Sequence, residues 1–398
     1  MLQKLSIDQL QPGMFVNNVT KQNGSVQVKN QGWVRTQSSI NNLIKAGILE
    51  VEIDSSKTII EKTNNQTEVE EPINEAPYDP TYASVSLDKE INKAKKLYKE
   101  AKDLQTKAFK SIKAGRKVEI EPFKEVANSF IDSVFRNQDA LACITRIREK
   151  DAYLLEHSIN VSVLMTIFAK HLHIDREIIH ELATGALLHD IGKIKIEDEI
   201  LNKPGKFTDS EFDEMKNHAR YSKETLEEAG LSGIAVEIAG FHHERLDGNG
   251  YPYGLKGDEI SQYVRMISIV DVYDALTAKR VYKNDMPPIK AFKILKKDTP
   301  ACFDEVLLNK FIACIGVHPV GTLVKLTSQK LGIVSKSNFQ NPLKPCVKLF
   351  YSAKHHHHTE VKDIDLSKKS CTDEIENSVK PEDFNIELMH FFKTVFLN

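Results

Sequence analysis

The chain has 398 residues, a length that suggests two or three domains and excludes a disulfide-stapled miniprotein. With 41% hydrophobic and 28% charged residues its composition is that of an ordinary globular protein, so disorder is not the default for most of it. Lys+Arg 54 against Asp+Glu 56 leaves a formal charge of -2, so no global field draws the chain onto a nucleic-acid polymer or an anionic membrane, and any phosphate binding must be local.

Residues 1–60 predict a small α+β domain: extended Met14-Phe15-Val16 after the Pro12-Gly13 turn, a helical pattern from Ser39 to Ala46, then alternating Leu49, Val51 and Ile53. Residues 61–83 carry Glu68, Glu70, Glu71 and Glu75 with Pro72, Pro77 and Pro80, the composition of an acidic linker. From Leu87, apolar Ile91, Ala94, Leu97, Ala101, Leu104, Ala108 and Ile112 step by three or four residues and predict a long amphipathic helix. It is read as packing on the domain that follows, with a coiled-coil homodimer as the alternative. Helical periodicity continues to about residue 315, broken by the glycine-rich stretch Asp247 to Gly257, so 84–318 is read as one helical domain. After His318-Pro319-Val320-Gly321 the period becomes two, over Leu323 to Leu326, Gly332 to Val334 and Val347 to Phe350. Residues 319–398 are thus a β appendage ending in an apolar tail (Leu388, Met389, Phe391, Phe392, Val395, Phe396) read as a docking helix. The expected fold class is mainly α, a helical bundle with a small α+β unit before it and a small β unit after it.

Cys143, Cys302, Cys314, Cys346 and Cys371 are odd in number and never form a CxxC pair, which argues against a disulfide framework or zinc knot and for a reducing cytoplasm. Lys4, Asp8 and Pro12-Gly13 stand where a signal peptide needs an apolar core, and no run approaches the length of a membrane span. A soluble cytoplasmic protein is expected.

His157, His189-Asp190, His218, His242-His243 and Asp271 fall inside predicted helices or at their ends. Imidazole and carboxylate are the donors a borderline divalent metal prefers, and the set is large enough for two ions sharing a bridging carboxylate. Singly, each has a blander reading: of the 14 histidines only five belong to this set, and His157 or His218 alone is more often a hydrogen-bonded core histidine. His189-Asp190 differs because it ends the apolar run Leu182 to Leu188, where a histidine and an acid are costly to bury unpaired. Asp271 lies in Met266 to Val272, too apolar for a free carboxylate. The joint pattern outweighs the single readings.

His189-Asp190-Ile191-Gly192-Lys193, followed by His242-His243-Glu244-Arg245-Leu246-Asp247-Gly248-Asn249-Gly250-Tyr251-Pro252, resembles the signatures of the HD-GYP family, a branch of the HD metal-dependent phosphohydrolases. The resemblance covers about residues 123 to 320 and implies an HD-type helical bundle that hydrolyses cyclic dinucleotides, principally cyclic di-GMP, to linear pGpG and on to GMP. Leu10 to Val16 and Ala46-Gly47-Ile48 resemble a small domain often found ahead of HD-GYP domains. The resemblance makes His157, His189, Asp190 and Asp271 ligands of one metal and His218, His242 and His243 ligands of a second, with Asp190 bridging and Fe or Mn as the ions. The family's trinuclear variety has a glutamate one turn before the first histidine, where this chain has Tyr153, so two metals are expected.

By the same resemblance Lys193 contacts phosphate or donates a proton, Asp274 supports the site, and Arg280 and Lys283 face substrate; as isolated residues the lysines and the arginine would be solvated charges. Tyr251 takes an accessory substrate role in a loop associated with docking onto diguanylate cyclase (GGDEF) domains, although its glycines also suit turns with positive φ. The run His355 to His358 is read as a solvated loop, and no Walker-type phosphate cradle or aromatic stacking platform for nucleic acid appears. Rival functions are hydrolysis of mixed cyclic GMP-AMP, a non-catalytic module binding cyclic dinucleotide or a cyclase, and an oxygen-activating diiron enzyme.

Overall fold

The computed structural model describes residues 2–10, 14–23, 32–34, 40, 43–44, 47–54, 84–146, 153–278, 286–338, 340–384 and 386. The chain divides into two compact units, Met1–Pro77 and Tyr78–Asn398. The mainly α class is observed, with a small sheet in the first unit and another after the helices of the second.

In the first unit, β1 (Leu2–Ser6), β2 (Phe15–Gln22), β3 (Gly32–Trp33) and β4 (Ile48–Asp54) form an antiparallel sheet ordered β1-β4-β2-β3. The register sets Leu5 opposite Val51 and Phe15 opposite Trp33. Alternation sends Val51 and Ile53 inward with Ile7, Leu10, Met14, Val16 and Ile48. Within the helix expected over Ser39 to Ala46, Ile40, Leu43 and Ile44 are helical and the remainder lies outside the described residues, as does the expected linker 61–83.

The second unit opens with α1 (Leu87–Lys113) and α2 (Glu121–Arg146). The apolar stripe of α1 is used within the chain: Ile91, Ala94 and Ala101 are buried in one core with Phe123, Phe130 and Ile131 of α2. Asn137 interrupts α2 at φ -161, ψ 101, and its side chain donates to Val85 O and accepts from the Asp139 N–H, replacing bonds the kink removes. There follow α3 (Tyr153–His171), α4 (Arg176–Leu188), the short α5 (Asp198–Leu201), α6 (Asp209–Glu228), α7 (Ile234–Phe241), α8 (Gln262–Thr277), α9 (Pro288–Lys297) and α10 (Glu305–Ile315). A capping box between Thr208 and Glu211 starts α6, and Ser261 and Asp304 cap α8 and α10.

Helices α3 and α8, which carry chemistry, are locked from behind by aromatic rings. Tyr273 of α8 stacks on Phe292 at 4.9 Å and meets the edge of Phe311, which in turn packs on Phe168 of α3 at 5.1 Å.

The C-terminal sheet is antiparallel, ordered β8-β7-β6-β5-β9, with β5 (Leu323–Leu326), β6 (Lys330–Lys336), β7 (Cys346–Ser352), β8 (His357–Asp365) and β9 (Ile375–Ser378). Two strands exceed the sequence expectation. His357 and His358 begin β8 rather than lying in a loop, because that hairpin pairs Ser352 with His357 and Tyr351 with His358. In the C-terminal segment Pro381–Phe384 forms a 3-10 turn, and the expected tail helix over 387–398 lies outside the described residues.

Candidate metal centre

The candidate ligands come from five helices and the turns that follow two of them. His157 lies in the second turn of α3; α4 ends at Leu188, so His189 caps it and Asp190 opens the 3-10 turn Ile191–Lys195; His218 lies midway along α6; His242 and His243 follow α7; Asp271 and Asp274 are one turn apart on α8. Three histidines turn Nδ1 onto the carbonyl three residues earlier: His189 to Ala186 O (2.7 Å), His218 to Met215 O (2.6 Å) and His242 to Ala239 O (2.9 Å). A carbonyl only accepts, so Nδ1 carries the proton and Nε2 is left as the donor to an ion.

The seven residues form one cluster, buried except for the partly exposed His243. His157 Nε2 is 2.8 Å from Asp271 Oδ1, with His189 Nε2 at 3.9 Å from that oxygen. Asp190 divides its carboxylate: Oδ2 faces His189 Nε2 (3.5 Å) and His157 Nε2 (3.9 Å), while Oδ1 faces His218 Nε2 (3.4 Å) and His242 Nε2 (3.9 Å). Asp271 Oδ2 is 3.7 Å from His243 Nδ1. Three ligand-atom groups, His157/His189/Asp271, His189/Asp190/His242 and His218/His242/His243, each fall within 4.8 Å. Two donors on one first-row cation, each about 2.1 Å from it, stand roughly 3 Å apart, which the His157–Asp271 pair matches.

The electrostatics are those of a site built around positive charge. Burial would raise Asp190, yet the Lys193 ammonium and the His189, His218 and His157 imidazoles hold it well below the usual carboxylate range. Asp271 is likewise driven down against its burial, by the His157 hydrogen bond and the surrounding imidazoles. Burial pushes His218 down to about 3, His243 to about 4, and His242 well below its ordinary value, so these rings stay neutral and can ligate. Against burial, hydrogen bonds to Asp271 and Asp274 push His157 up to about 9. His189 Nε2 and Asp190 Oδ1 are buried without a hydrogen-bond partner, the condition a bound cation relieves. The donor set therefore fits divalent metal.

Asp274 Oδ2 lies 2.8 Å from His157 Nδ1, on the far side of the ring from Asp271. It positions a candidate ligand rather than reaching the reacting atoms. Lys193 Nζ contacts Asp190 Oδ2 at 2.5 Å with its side chain 19% exposed, and His243 is 23% exposed, so solvent reaches the cluster between these two. Tyr251 lies over His243, ring centroids 4.6 Å apart, and donates its backbone N–H to His243 O. Arg280 and Lys283 lie outside the described residues, as does the side chain of Tyr153. Glu156 faces away from the cluster and is held by Lys102 at 2.9 Å.

Other residues of the two signature segments shape the site through contacts that the sequence alone does not assign them. A Cβ on Gly192 would meet His218 O at 2.2 Å and Ser222 N at 2.4 Å, so only glycine lets the turn after Asp190 touch the backbone of α6. Its N–H donates to Ser222 Oγ. Buried Glu244 accepts from the Tyr253 and Leu255 N–H groups at 2.7 and 3.0 Å, pinning the glycine-rich loop. In that loop Gly248 has φ +78 as expected, but Gly250 does not need positive φ: a Cβ there would strike the Glu244 and Arg245 backbone.

Fold and geometry together define a helical bundle that gathers histidines and aspartates into a divalent-metal centre. A family model for the HD domain matches residues 142–307, and one for a domain of unknown function, DUF3391, matches residues 2–123. Cyclic di-GMP phosphodiesterase PA4108 of Pseudomonas aeruginosa is 33% identical over 384 residues, covering 94% of this chain and 91% of that protein. The 3'3'-cGAMP-specific phosphodiesterase 3 of Vibrio cholerae is 40% identical over 159 residues, 39% of this chain and 35% of that one. The solved structure of Bd1817, an HDG"Y"P protein of Bdellovibrio bacteriovorus, aligns at 16% identity with a TM-score of 0.47, over 78% of this chain and 98% of that one. The chain belongs to the HD-domain family, as a phosphodiesterase of the HD-GYP type. Membership carries with it binding of divalent metal. No helix among the described residues is long and apolar enough to cross a membrane.

Proposed function

We propose that this protein hydrolyses cyclic di-GMP to linear pGpG, and onward to GMP, at a dinuclear Fe or Mn centre. The observation that carries the reading is the divided carboxylate of Asp190, with one oxygen toward His157 and His189 and the other toward His218 and His242. In this reading His157, His189, Asp190 and Asp271 hold one ion, and Asp190, His218, His242 and His243 hold the other. Bound there, two such cations would supply Lewis acidity and a water of lowered pKa for attack on phosphorus near neutral pH.

The chain's own residues do the rest. Asp190 and Asp271 provide negative charge that retains the ions, and Asp274 keeps the His157 ring turned to present Nε2. Lys193, the cation at the solvent-reached side, meets the scissile phosphate or returns a proton to the departing 3' oxygen as the P–O bond breaks. Arg280 and Lys283 are proposed substrate contacts on the family resemblance, and Tyr251 an accessory one. The loop holding Tyr251 is the proposed docking edge for diguanylate cyclase domains, and the cytoplasm is the proposed location.

Mixed cyclic GMP-AMP is the second substrate to test, because a stretch of 159 residues is 40% identical to a 3'3'-cGAMP-specific phosphodiesterase. The deciding experiment is anaerobic turnover of both nucleotides by Mn- or Fe-loaded protein, with metal counted, products separated by chromatography, and Asp190→Ala as control. Cleavage that disappears in Asp190→Ala, with close to two metals in the parent, supports the reading. A fully metallated parent that cleaves neither nucleotide refutes it.

A further inference from the structure

Phe212 is 45% exposed, an apolar ring left in water on a helix that does not need it for capping, since Thr208 and Glu211 already close that end. It stands seven residues before Ala219, nearly two whole turns, and so on the face of α6 that buries His218, Ala219 and Ser222. That face looks into the metal centre, and Phe212 continues it past the edge of the bundle. A sequence of rings joins the two: His243 to Tyr251 at 4.6 Å, and Tyr251 to Phe212 at 6.5 Å, edge to face at 79°. His243 is the most exposed of the seven cluster residues, at 23%, so the rings start from the open side of the cluster. Lys216 Nζ sits over the Phe212 ring at 4.7 Å from its centroid and is itself held by Asp213 at 2.7 Å.

We infer that Phe212 is a substrate-binding residue on which one base of the cyclic dinucleotide stacks while its phosphate lies at the metal centre. The inference rests on the proposed phosphodiesterase activity and adds to it a base-recognition element. In a cyclic dinucleotide each base is one sugar removed from a phosphorus, so a base must lie to the side of the ions, in the direction the rings take. Aromatic stacking tolerates any base because each has a π face, so Phe212 contributes affinity without choosing between guanine and adenine. Lys216 covers one side of the ring and Tyr251 abuts its edge, which holds the platform in place before substrate arrives.

The test is steady-state hydrolysis of cyclic di-GMP by the Mn-loaded full chain, comparing the parent with Phe212→Leu and Phe212→Trp. Leucine keeps apolar bulk at the start of α6 and removes the π face. The expected result is a KM about tenfold higher in Phe212→Leu, kcat within twofold, metal content and melting temperature as in the parent, and a KM restored by Phe212→Trp. A parental KM in Phe212→Leu overturns the inference and leaves the phosphodiesterase standing. A fall in kcat or in bound metal with KM unmoved also overturns it, because the ring would then be structural. A fully metallated parent without turnover removes the activity and the inference together.

Discussion

Asp274 and His157 are joined at 2.8 Å between Oδ2 and Nδ1, two buried side chains from helices α8 and α3 that meet on the side of the ring away from the metal centre. The carboxylate can only accept from that nitrogen, so it selects the tautomer that leaves Nε2 as a donor to an ion.

Replacing that carboxylate changes the ligand without touching the ion. Asp274→Asn is expected to lower metal affinity or turnover about 10- to 100-fold with the fold retained. Metal titration by competition with a chelator, read beside circular dichroism, measures this; parental affinity and rate in the variant would mean that the His157 tautomer is fixed elsewhere.

Lys193 makes the opposite prediction. Its ammonium touches Asp190, yet the carboxylate is also faced by His189 and His218, so Lys193→Met should keep the bound metal and lose rate. A drop in kcat of about 100-fold or more, with metal content unchanged, is the expected outcome. Loss of metal in parallel with rate would make the lysine a structural counter-charge.

Gly192→Ala tests backbone contact. The added methyl would meet His218 O and Ser222 N, neither of which can swing aside, so α6 must move and take His218 with it. Destabilisation of about 1–3 kcal/mol is expected, together with weaker binding of metal. Thermal melting and metal counting on the same sample check both parts.

In metal-stripped protein, stability should peak near pH 6.5. His218 and His243 are held down to about 3 and about 4 by burial, so the unfolded chain takes up their protons first and stability falls as pH drops below 6.5. His157 is held up to about 9 by Asp271 and Asp274, so its contribution is full below 6.5 and is lost as pH rises through 9. Urea midpoints from pH 4 to 10 should trace a maximum; a flat profile would contradict the burial of these rings.

Much of this arrangement could be read from residues alone. The three- and four-residue spacing of Ile91 to Ile112 marks a helix whichever partner it finds, and His189-Asp190 at the end of an apolar run marks an expensive placement that a cation relieves. What periodicity supplies is a face, not the neighbour it meets. The contact of Gly192 with α6, the hold of Glu244 on Tyr253 and Leu255, and the carbonyl anchors of His189, His218 and His242 are tertiary or rotameric facts. The need for glycine at 250 is hidden for the same cause: a turn signal is local, whereas the obstruction at Gly250 comes from backbone that folds back on it.

The ties of α1 carry one more consequence. Lys102 neutralises buried Glu156 beside His157, Tyr98 donates to Asn160 one turn further along, and Gln105 donates to Leu187 O just ahead of His189. The HD match begins at residue 142, inside α2 and beyond all three donors. A fragment trimmed to that match would strand a buried carboxylate, an amide and a carbonyl against the two helices that present His157 and His189. The family match and the packed unit therefore have different lengths, and the shorter lacks the helix whose side chains tie down the segments carrying His157 and His189.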